Sequence, residues 1–486
     1  MTKKLSTLID SIAVQEVIGD PSVIHIEQLT QDSRAVAQGS MFIAVKGTVV
    51  DGHQYIATAI ESGATAIVCE VIPEEVDPRV VWIRVSHSMA AVGLLASCFY
   101  GAPSQQLKMI GVTGTNGKTT IATLLHDLFS KMGYYVGLLS TIENRIGSHH
   151  YPSTHTTPDP ISLQGWLAKM VEDGCSHCFM EVSSHAIDQH RIAGIDFDGA
   201  IFTNITHDHL DYHKTFKNYI AVKKKFFDDL KPQAFALTNR DDKNGEVMLQ
   251  NCDAKAYSYS VRAQATYKAS VIEQDLTGMQ LLLDRNEIWT PFVGKFNVSN
   301  LLAVYGAAVL SGESSTEVIA AISQLQPING RLETLHSKDG KVAIIDYAHT
   351  PDALENVLKT IDEIRTRNEQ VITVVGCGGN RDTTKRPLMA KIATQYSDRV
   401  ILTSDNPRFE DPEMIIKDMK EGVSAAYTSR VLSITNRAEA IRTAIALSSP
   451  QDIVLVAGKG HEDYQEIEGK KYPFDDHQIV ENELNA

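Results

Sequence analysis

Short apolar runs alternate with stretches of helical periodicity along most of this chain, the pattern of strands joined by crossover helices. Before residue 105 the runs Met41-Phe42-Ile43-Ala44-Val45 and Ala66-Ile67-Val68-Cys69 are separated by turn-formers such as Lys46-Gly47 and Asp51-Gly52. They predict a small α/β unit that ends at a linker near Gly101-Ala102-Pro103-Ser104. In the middle third, a run from Lys108 to Val112 leads into a helical pattern from Lys118 to about Met132, then a run from Tyr135 to Ser140. Later runs, Cys178 to Val182 and Gly199 to Thr203, each end in a polar cluster, and catalytic groups of parallel sheets gather at such strand ends. From about Arg331 four more runs follow: Val342-Ala343-Ile344-Ile345, Val371 to Val375, Val400 to Thr403 and Ile453 to Val456. Each leads into a loop dense in Gly, Asp, Asn or Arg, which predicts a second doubly wound sheet.

The expected fold is therefore α/β in three domains. A small N-terminal α/β domain spans 1–105, a central P-loop ATPase-like parallel sheet 106–330, and a C-terminal Rossmann-like doubly wound sheet 331–486. The length of 486 residues agrees with this division.

Composition narrows the function classes. Hydrophobic residues make up 43% and charged residues 22%, ordinary for a globular protein, while the net charge of −15 argues against nucleic acid or an anionic membrane as the main partner. Anionic substrates must then be captured by local basic groups. No apolar run reaches membrane-spanning length, and the start Met-Thr-Lys-Lys-Leu-Ser lacks the long apolar core of a signal peptide, so a cytoplasmic protein is expected, with a monomer as the simplest assembly. Six scattered cysteines do not form a disulfide framework. Cys175-Ser-His-Cys178 has zinc-like spacing, but no second pair completes four ligands, so buried thiols are the expectation.

The richest chemistry lies in Gly111-Val112-Thr113-Gly114-Thr115-Asn116-Gly117-Lys118-Thr119-Thr120. A turn without side chains lets backbone N–H groups converge on phosphate oxygens at a helix N-terminus. Lys118 supplies a mobile charge for the terminal phosphates, and the Thr119 hydroxyl is placed for Mg²⁺. The strict P-loop has glycine where this chain has Val112, so the loop is a variant, and a plain glycine-rich turn is the competing reading.

Two further segments offer groups for a hard cation: Glu181-Val182-Ser183-Ser184-His185, and Asn204 to His213 with His207, Asp208, His209 and Asp211. Downstream, Phe216, Tyr219, Ile220, Lys223, Phe226, Phe227 and Leu230 fall on one helical stripe. Lys223 sits on that stripe, whereas Lys224 and Lys225 point away. A buried lysine loses its proton readily, and its neutral amine can add CO₂ to give a carboxylate-like carbamate. A lysine merely snorkelling from the stripe is the alternative.

These motifs resemble the Mur ligases, ATP-dependent amide-forming enzymes of peptidoglycan precursor synthesis. The resemblance runs through Asp32-Ser33-Arg34, Gly114 to Thr120, Thr156-Thr157-Pro158-Asp159, Glu181 to Arg191, His207 to Lys223, Gly294 to Asn300, Asn329-Gly330-Arg331 and Asp346-Tyr347-Ala348-His349. In that family the phosphate loop also lacks the strict glycine, so Val112 fits. The resemblance implies that Lys118, Glu181, His209 and Lys223 are catalytic, with Lys223 carried as N6-carboxylysine. It implies Mg²⁺ at Thr119, Glu181, His209 and the carbamate. ATP would be held by Gly114, Thr115, Asn116, Gly117, Lys118, Thr119, Thr120, Asn297, Arg331, Asp346 and His349.

The substrate it implies is UDP-N-acetylmuramoyl-L-alanyl-D-glutamate, bound by the N-terminal domain. Gln31, Ser33 and Thr48-Val49-Val50 would hold the uridine end; His155, Thr156, Thr157, Ser183, Gln189 and Arg191 would grip the muramoyl-dipeptide end. Asp405-Asn406-Pro407-Arg408 resembles the loop of relatives that add meso-2,6-diaminopimelate rather than lysine. Arg408 suits the second carboxylate, with Arg381, Gly458 and Glu462 as further contacts in the C-terminal amino-acid-binding domain. The implied chemistry is ATP-dependent amide formation through an acyl phosphate on the D-glutamate γ-carboxylate. Competing readings are a lysine-adding or folylpolyglutamate-type ligase, a P-loop switch, and a small-molecule kinase.

Overall fold

The computed structural model describes residues 2–485 apart from Thr48, Val49, Thr154, His207 and Arg367. Three large sheets follow one another along the chain, so the fold is α/β with a small N-terminal sheet, a central P-loop sheet and a Rossmann-like third sheet. The first has five strands between Val14 and Val85, with Ser40–Ile43 and Ala64–Cys69 paired in parallel at its centre. Its core is Met41, Ile43, Val68 and Ile83 against Val92, Leu95 and Phe99 of the helix Ser88–Phe99.

The central sheet is larger than the apolar runs alone indicate. Seven strands run parallel in the order Val136–Leu139, His177–Glu181, Lys108–Thr113, Gly199–Phe202, Phe235–Asn239, Lys255–Ser260, Tyr267–Asp275. Antiparallel strands extend it at both edges, Glu143–Ile146 with His149–Pro152 at one and Gly278–Leu283 with Asn286–Thr290 at the other. In Glu143–Ile146, His149–Pro152 and Asn286–Thr290 polar residues interrupt the apolar ones, so these strands do not form continuous apolar runs.

Buried strands explain why the middle of the sheet is legible. Lys108–Thr113 is covered on one face by Ile121, Leu124, Leu125 and Leu128 of the helix Lys118–Lys131, and on the other by the layer containing Phe226 and Phe227. Gly111 sits under that second layer: a Cβ there would come within 2.6 Å of Phe226 Cζ.

The third sheet is six-stranded, with Val342–Asp346, Ile453–Ala457, Val371–Cys377, Arg399–Ser404 and Val431–Ser433 parallel and Glu333–His336 antiparallel at one edge. The segment Gly101–Ser104 lies between the helix Ser88–Phe99 and the strand Lys108–Thr113, and its second half is packed. Pro103 and Ser104 are buried, and Ser104 Oγ accepts from Asp196 N at 3.1 Å. All six cysteines are free, and Cys175 and Cys178 are buried as expected. No helix among the described residues is long and apolar enough to cross a membrane.

Candidate active site

Three adjacent central strands end at one place. Lys108–Thr113 opens into the glycine loop, His177–Glu181 ends on Glu181 in register with Val112, and Gly199–Phe202 runs into Thr203-Asn204. The loop's shape depends on close approach: a Cβ on Gly114 would fall 1.8 Å from Thr203 Oγ1 at a φ of +154°. Asn204 cradles the turn, its carbonyl accepting from Thr115 N and its Oδ1 from Asn116 N, both at 2.9 Å. Thr203 Oγ1 donates to Asn116 O at 2.6 Å. The contacts that Thr203 and Asn204 make with the loop are not legible in the sequence, because a strand terminus shows its neighbours only after folding.

Two lysines converge on this turn. Lys118 Nζ donates to Gly114 O at 2.9 Å and to Thr115 O at 2.8 Å. Lys223 Nζ, 1% exposed, donates to the same Gly114 carbonyl at 2.8 Å and lies 4.8 Å from the Tyr219 ring centroid. Burial and then the neighbouring Lys118 charge push the Lys223 pKa well below its ordinary value, so the neutral amine is accessible. Lys224 instead pairs with Asp228, and Lys225 is exposed, as the stripe predicts.

Glu181 is buried, and its Oε1 accepts from Thr141 N at 2.7 Å while Oε2 has no hydrogen-bond partner. His209, at a left-handed φ of 54°, stands edge-on to His185 with ring centroids 5.0 Å apart. Its side chain is 44% exposed, yet the crowded cleft desolvates it and lowers its pKa to about 4, outweighing nearby Asp208. His207 lies outside the described residues. Among the described residues no three His, Cys, Asp or Glu side chains converge as a metal site by themselves.

Other nucleotide candidates come from the third sheet's leading edge. Arg331 stacks 4.5 Å from the Tyr347 ring, and its Nη2 donates to Thr119 Oγ1 at 3.4 Å. Asp346 is pushed up to about 6 by burial, against the pull of Arg331, and accepts from Leu332 N. Burial lowers His349 to about 4. Asn297 donates to Val293 O and accepts from Asn300, so its amide braces the first turn of Lys295–Leu310. Thr120 is buried in the helix after the loop. Asn116 Nδ2 reaches Asp352 Oδ2 at 2.9 Å, joining the glycine loop to the first turn of Pro351–Ile364. Asp352 was not anticipated; in sequence Thr-Pro-Asp signals only a helix start.

Four of the muramoyl-dipeptide candidates, Thr157, Ser183, Gln189 and Arg191, form one network. Thr157 Oγ1 donates to Glu181 O and accepts from Ser183 N; Arg191 donates to Thr157 O and, twice, to Gln189 Oε1. Thr156 accepts from Thr141 Oγ1, and His155 is exposed. Gln31 and Ser33 are half-buried at the edge of the first sheet, and Val50 is exposed; Thr48 and Val49 lie outside the described residues.

In the third sheet, Asp405, Asn406 and Pro407 are buried. Burial alone would raise Asp405, but Lys459 and Arg437 outweigh it and hold the carboxyl below its usual range. Gly458 is required there, since a Cβ would sit 2.6 Å from Asp405 Oδ2. Glu462 is organised by three donors, Asn406 Nδ2 at 2.8 Å, Lys459 Nζ at 3.0 Å and Tyr347 OH at 3.3 Å. Lys459, 0% exposed, and the buried Arg437–Asp476 pair behind it were missed, because nothing local marks a lysine between glycines as buried. Arg381 is exposed.

Family models match along the chain: "Mur ligase family, catalytic domain" over residues 25–100, "Mur ligase middle domain" over 112–308, and "Mur ligase, glutamate ligase domain" over 330–460. A curated relative from Phocaeicola vulgatus, named UDP-N-acetylmuramoyl-L-alanyl-D-glutamate--2,6-diaminopimelate ligase, is 54% identical over 98% of both chains. One of the same name from Parabacteroides distasonis is 55% identical over 97% of both. A solved structure of a ligase so named superposes with a TM-score of 0.70 at 32% identity, covering 100% of this chain and 99% of that one. The chain belongs to the Mur ligase family.

Proposed function

We propose that this chain is a UDP-N-acetylmuramoyl-L-alanyl-D-glutamate--2,6-diaminopimelate ligase that consumes ATP and acts as a cytoplasmic monomer. The observation that carries the reading is the meeting of the glycine loop, Glu181 and Lys223 at the ends of adjacent strands, in a chain more than half identical to ligases of that name. A switch or a simple kinase has no need of a neutral buried lysine beside its phosphate loop.

The three sheets divide the work, with boundaries near residues 105 and 330. The first holds the uridine end through Gln31, Ser33 and the 48–50 segment. The second holds ATP and the dipeptide. The third presents the amino acid at Arg408, Asp405, Asn406, Pro407, Gly458, Glu462 and Arg381.

Magnesium suits the donor set. The buried Glu181 Oε2 has no hydrogen-bond partner, and a hard cation is its natural counterpart. Glu181 and His209 alone fall short of a ligand set, and a carbamate on Lys223 would supply a further oxygen donor, with Thr119 at the phosphate side. Bound there, Mg²⁺ would neutralise phosphate and carboxylate charge. Arg331 must leave the Thr119 hydroxyl for that role to be filled.

The chain's residues then act as follows. The Thr157–Gln189–Arg191 network orients the D-glutamate γ-carboxylate, one oxygen of which attacks the γ-phosphorus of ATP. The bond to ADP breaks as the acyl phosphate forms, with Lys118 stabilising charge on the transferring group. The neutral amine of diaminopimelate attacks the acyl carbon, the bond to phosphate breaks, and phosphate and a proton are released.

The test is phosphate release with the muramoyl dipeptide, ATP and Mg²⁺, offering diaminopimelate and lysine in parallel. Diaminopimelate-dependent release with an amide product is expected; release without amino acid, or equal use of lysine, refutes the reading. Intact mass under non-acidic conditions should show one added CO₂, absent from Lys223→Ala.

A further inference from the structure

The loop at Arg408 does not hold its own shape. The hairpin formed by Tyr464–Ile467 and Lys470–Pro473 lies against it and is tied to it residue by residue. Gln465 Nε2 donates to Asp405 O at 2.5 Å, Glu466 N to Asn406 Oδ1 at 2.9 Å, Arg408 N to Glu466 O at 3.0 Å and Glu468 N to Arg408 O at 2.6 Å. This bracing keeps Arg408 at a φ of 53°, a left-handed conformation unfavourable for a residue with a side chain.

The guanidinium is held as well, by one hydrogen bond and one ion pair. Its Nη1 donates to Gly379 O at 2.9 Å, and its Nε pairs with Glu466 Oε2 at 3.2 Å. Both side chains are mostly shielded, 20% and 24% exposed, so the pair is less weakened by solvent than a surface ion pair. Gly378 makes room for the arm, since a Cβ there would lie 2.9 Å from Arg408 Nη1. Nη2 has no hydrogen-bond partner among the described residues, and Nη1 retains a second N–H. A guanidinium ion-paired at its Nε side and hydrogen-bonded through one Nη1 hydrogen still offers a two-donor edge of the kind that grips a carboxylate.

We propose that Glu466 is a positioning residue for selection of the amino-acid substrate. Its carboxylate fixes the Arg408 guanidinium so that the remaining N–H edge meets the distal carboxylate of diaminopimelate, a group lysine lacks. Glu466 does not touch the substrate; it acts through Arg408, and the hairpin that carries it is a specificity element of the site. The assignment rests on the function proposed above.

The test compares Glu466→Ala, Glu466→Asp and wild type in amino-acid-dependent phosphate release, with KM for ATP and the melting temperature as controls. Glu466→Ala is expected to raise KM for diaminopimelate about tenfold and to lower its kcat/KM relative to lysine, with KM for ATP unchanged, since mispositioned groups in one network couple by this order. Glu466→Asp should recover most of the selectivity. In an Arg408→Lys background, Glu466→Ala should add little. If Glu466→Ala melts too low to assay, Glu466→Gln, which keeps the shape without the charge, carries the same comparison. Unchanged KM and selectivity in the variant, or an equal loss in the Arg408→Lys background, overturns the assignment. A wild type that does not use diaminopimelate instead removes the underlying function, and the two failures are distinguishable.

Discussion

Burial keeps several histidines neutral, and His177 does so away from the candidate active site. Its ring packs among Phe129, Phe179 and Tyr134, its Nε2 has no hydrogen-bond partner, and burial with the Lys108 charge lowers it from 6.5 to about 4. The unfolded chain takes up this proton as pH falls below 6.5, while the folded chain resists until about 4. Protons therefore bind preferentially to the unfolded state in that window, and stability declines as pH falls through it. At pH 5 the loss from this residue is about 2 kcal/mol. His177→Phe fits the aromatic surroundings and should flatten that part of the curve. Urea unfolding at pH 5 and pH 7 checks it; an unchanged pH slope in the variant would discount His177. The same residue marks a limit of sequence reading. Lys223 could be picked from its neighbours because the helix stripe is local, whereas the burial of His177, Lys459 and Arg437 arises from strands and helices far apart in sequence.

At the scale of elements, the helix Ser88–Phe99 fixes the first sheet to the central one through glycine against glycine. A Cβ on Gly93 would fall 2.3 Å from Ala193 O, and one on Gly194 would fall 2.7 Å from Gly93 O. The obstructing atoms are backbone and cannot swing aside. Gly93→Val should therefore destabilise by about 1–3 kcal/mol, the range of overpacked contacts, and raise KM for the nucleotide-sugar substrate more than that for ATP. Equal changes in both constants would argue that the crossing does not orient the first sheet. The central strands were readable because both their faces are buried, giving unbroken apolar runs in Lys108–Thr113 and His177–Glu181. Strands toward the sheet's margins, such as Glu143–Ile146 and Tyr267–Asp275, carry interspersed polar residues and merge with turn patterns. The packing of Gly101–Ser104 is illegible for a related reason: Gly, Pro and Ser signal a turn equally well in solvent or under another layer.

Across the whole molecule, the third sheet touches the phosphate loop through groups proposed above to hold ATP. Asp352 accepts from Asn116 Nδ2, and Arg331 donates to Thr119 Oγ1. Burial raises the Asp352 carboxyl above its ordinary range, so its main compensation on the central side is the Asn116 amide. Two substrates and ATP must converge with water excluded, which favours motion of the third sheet over the second during the cycle. Asp352 would then latch the approach of the third sheet, and nucleotide binding would exchange the Arg331–Thr119 contact for phosphate contacts. Asp352→Ala removes the latch without altering any side chain proposed to touch substrate. Its radius of gyration in solution scattering should exceed that of wild type without ligands, and the two should coincide once ATP, dipeptide and diaminopimelate are all bound. Scattering curves that already coincide without ligands would show that Asp352 does not hold the third sheet in place.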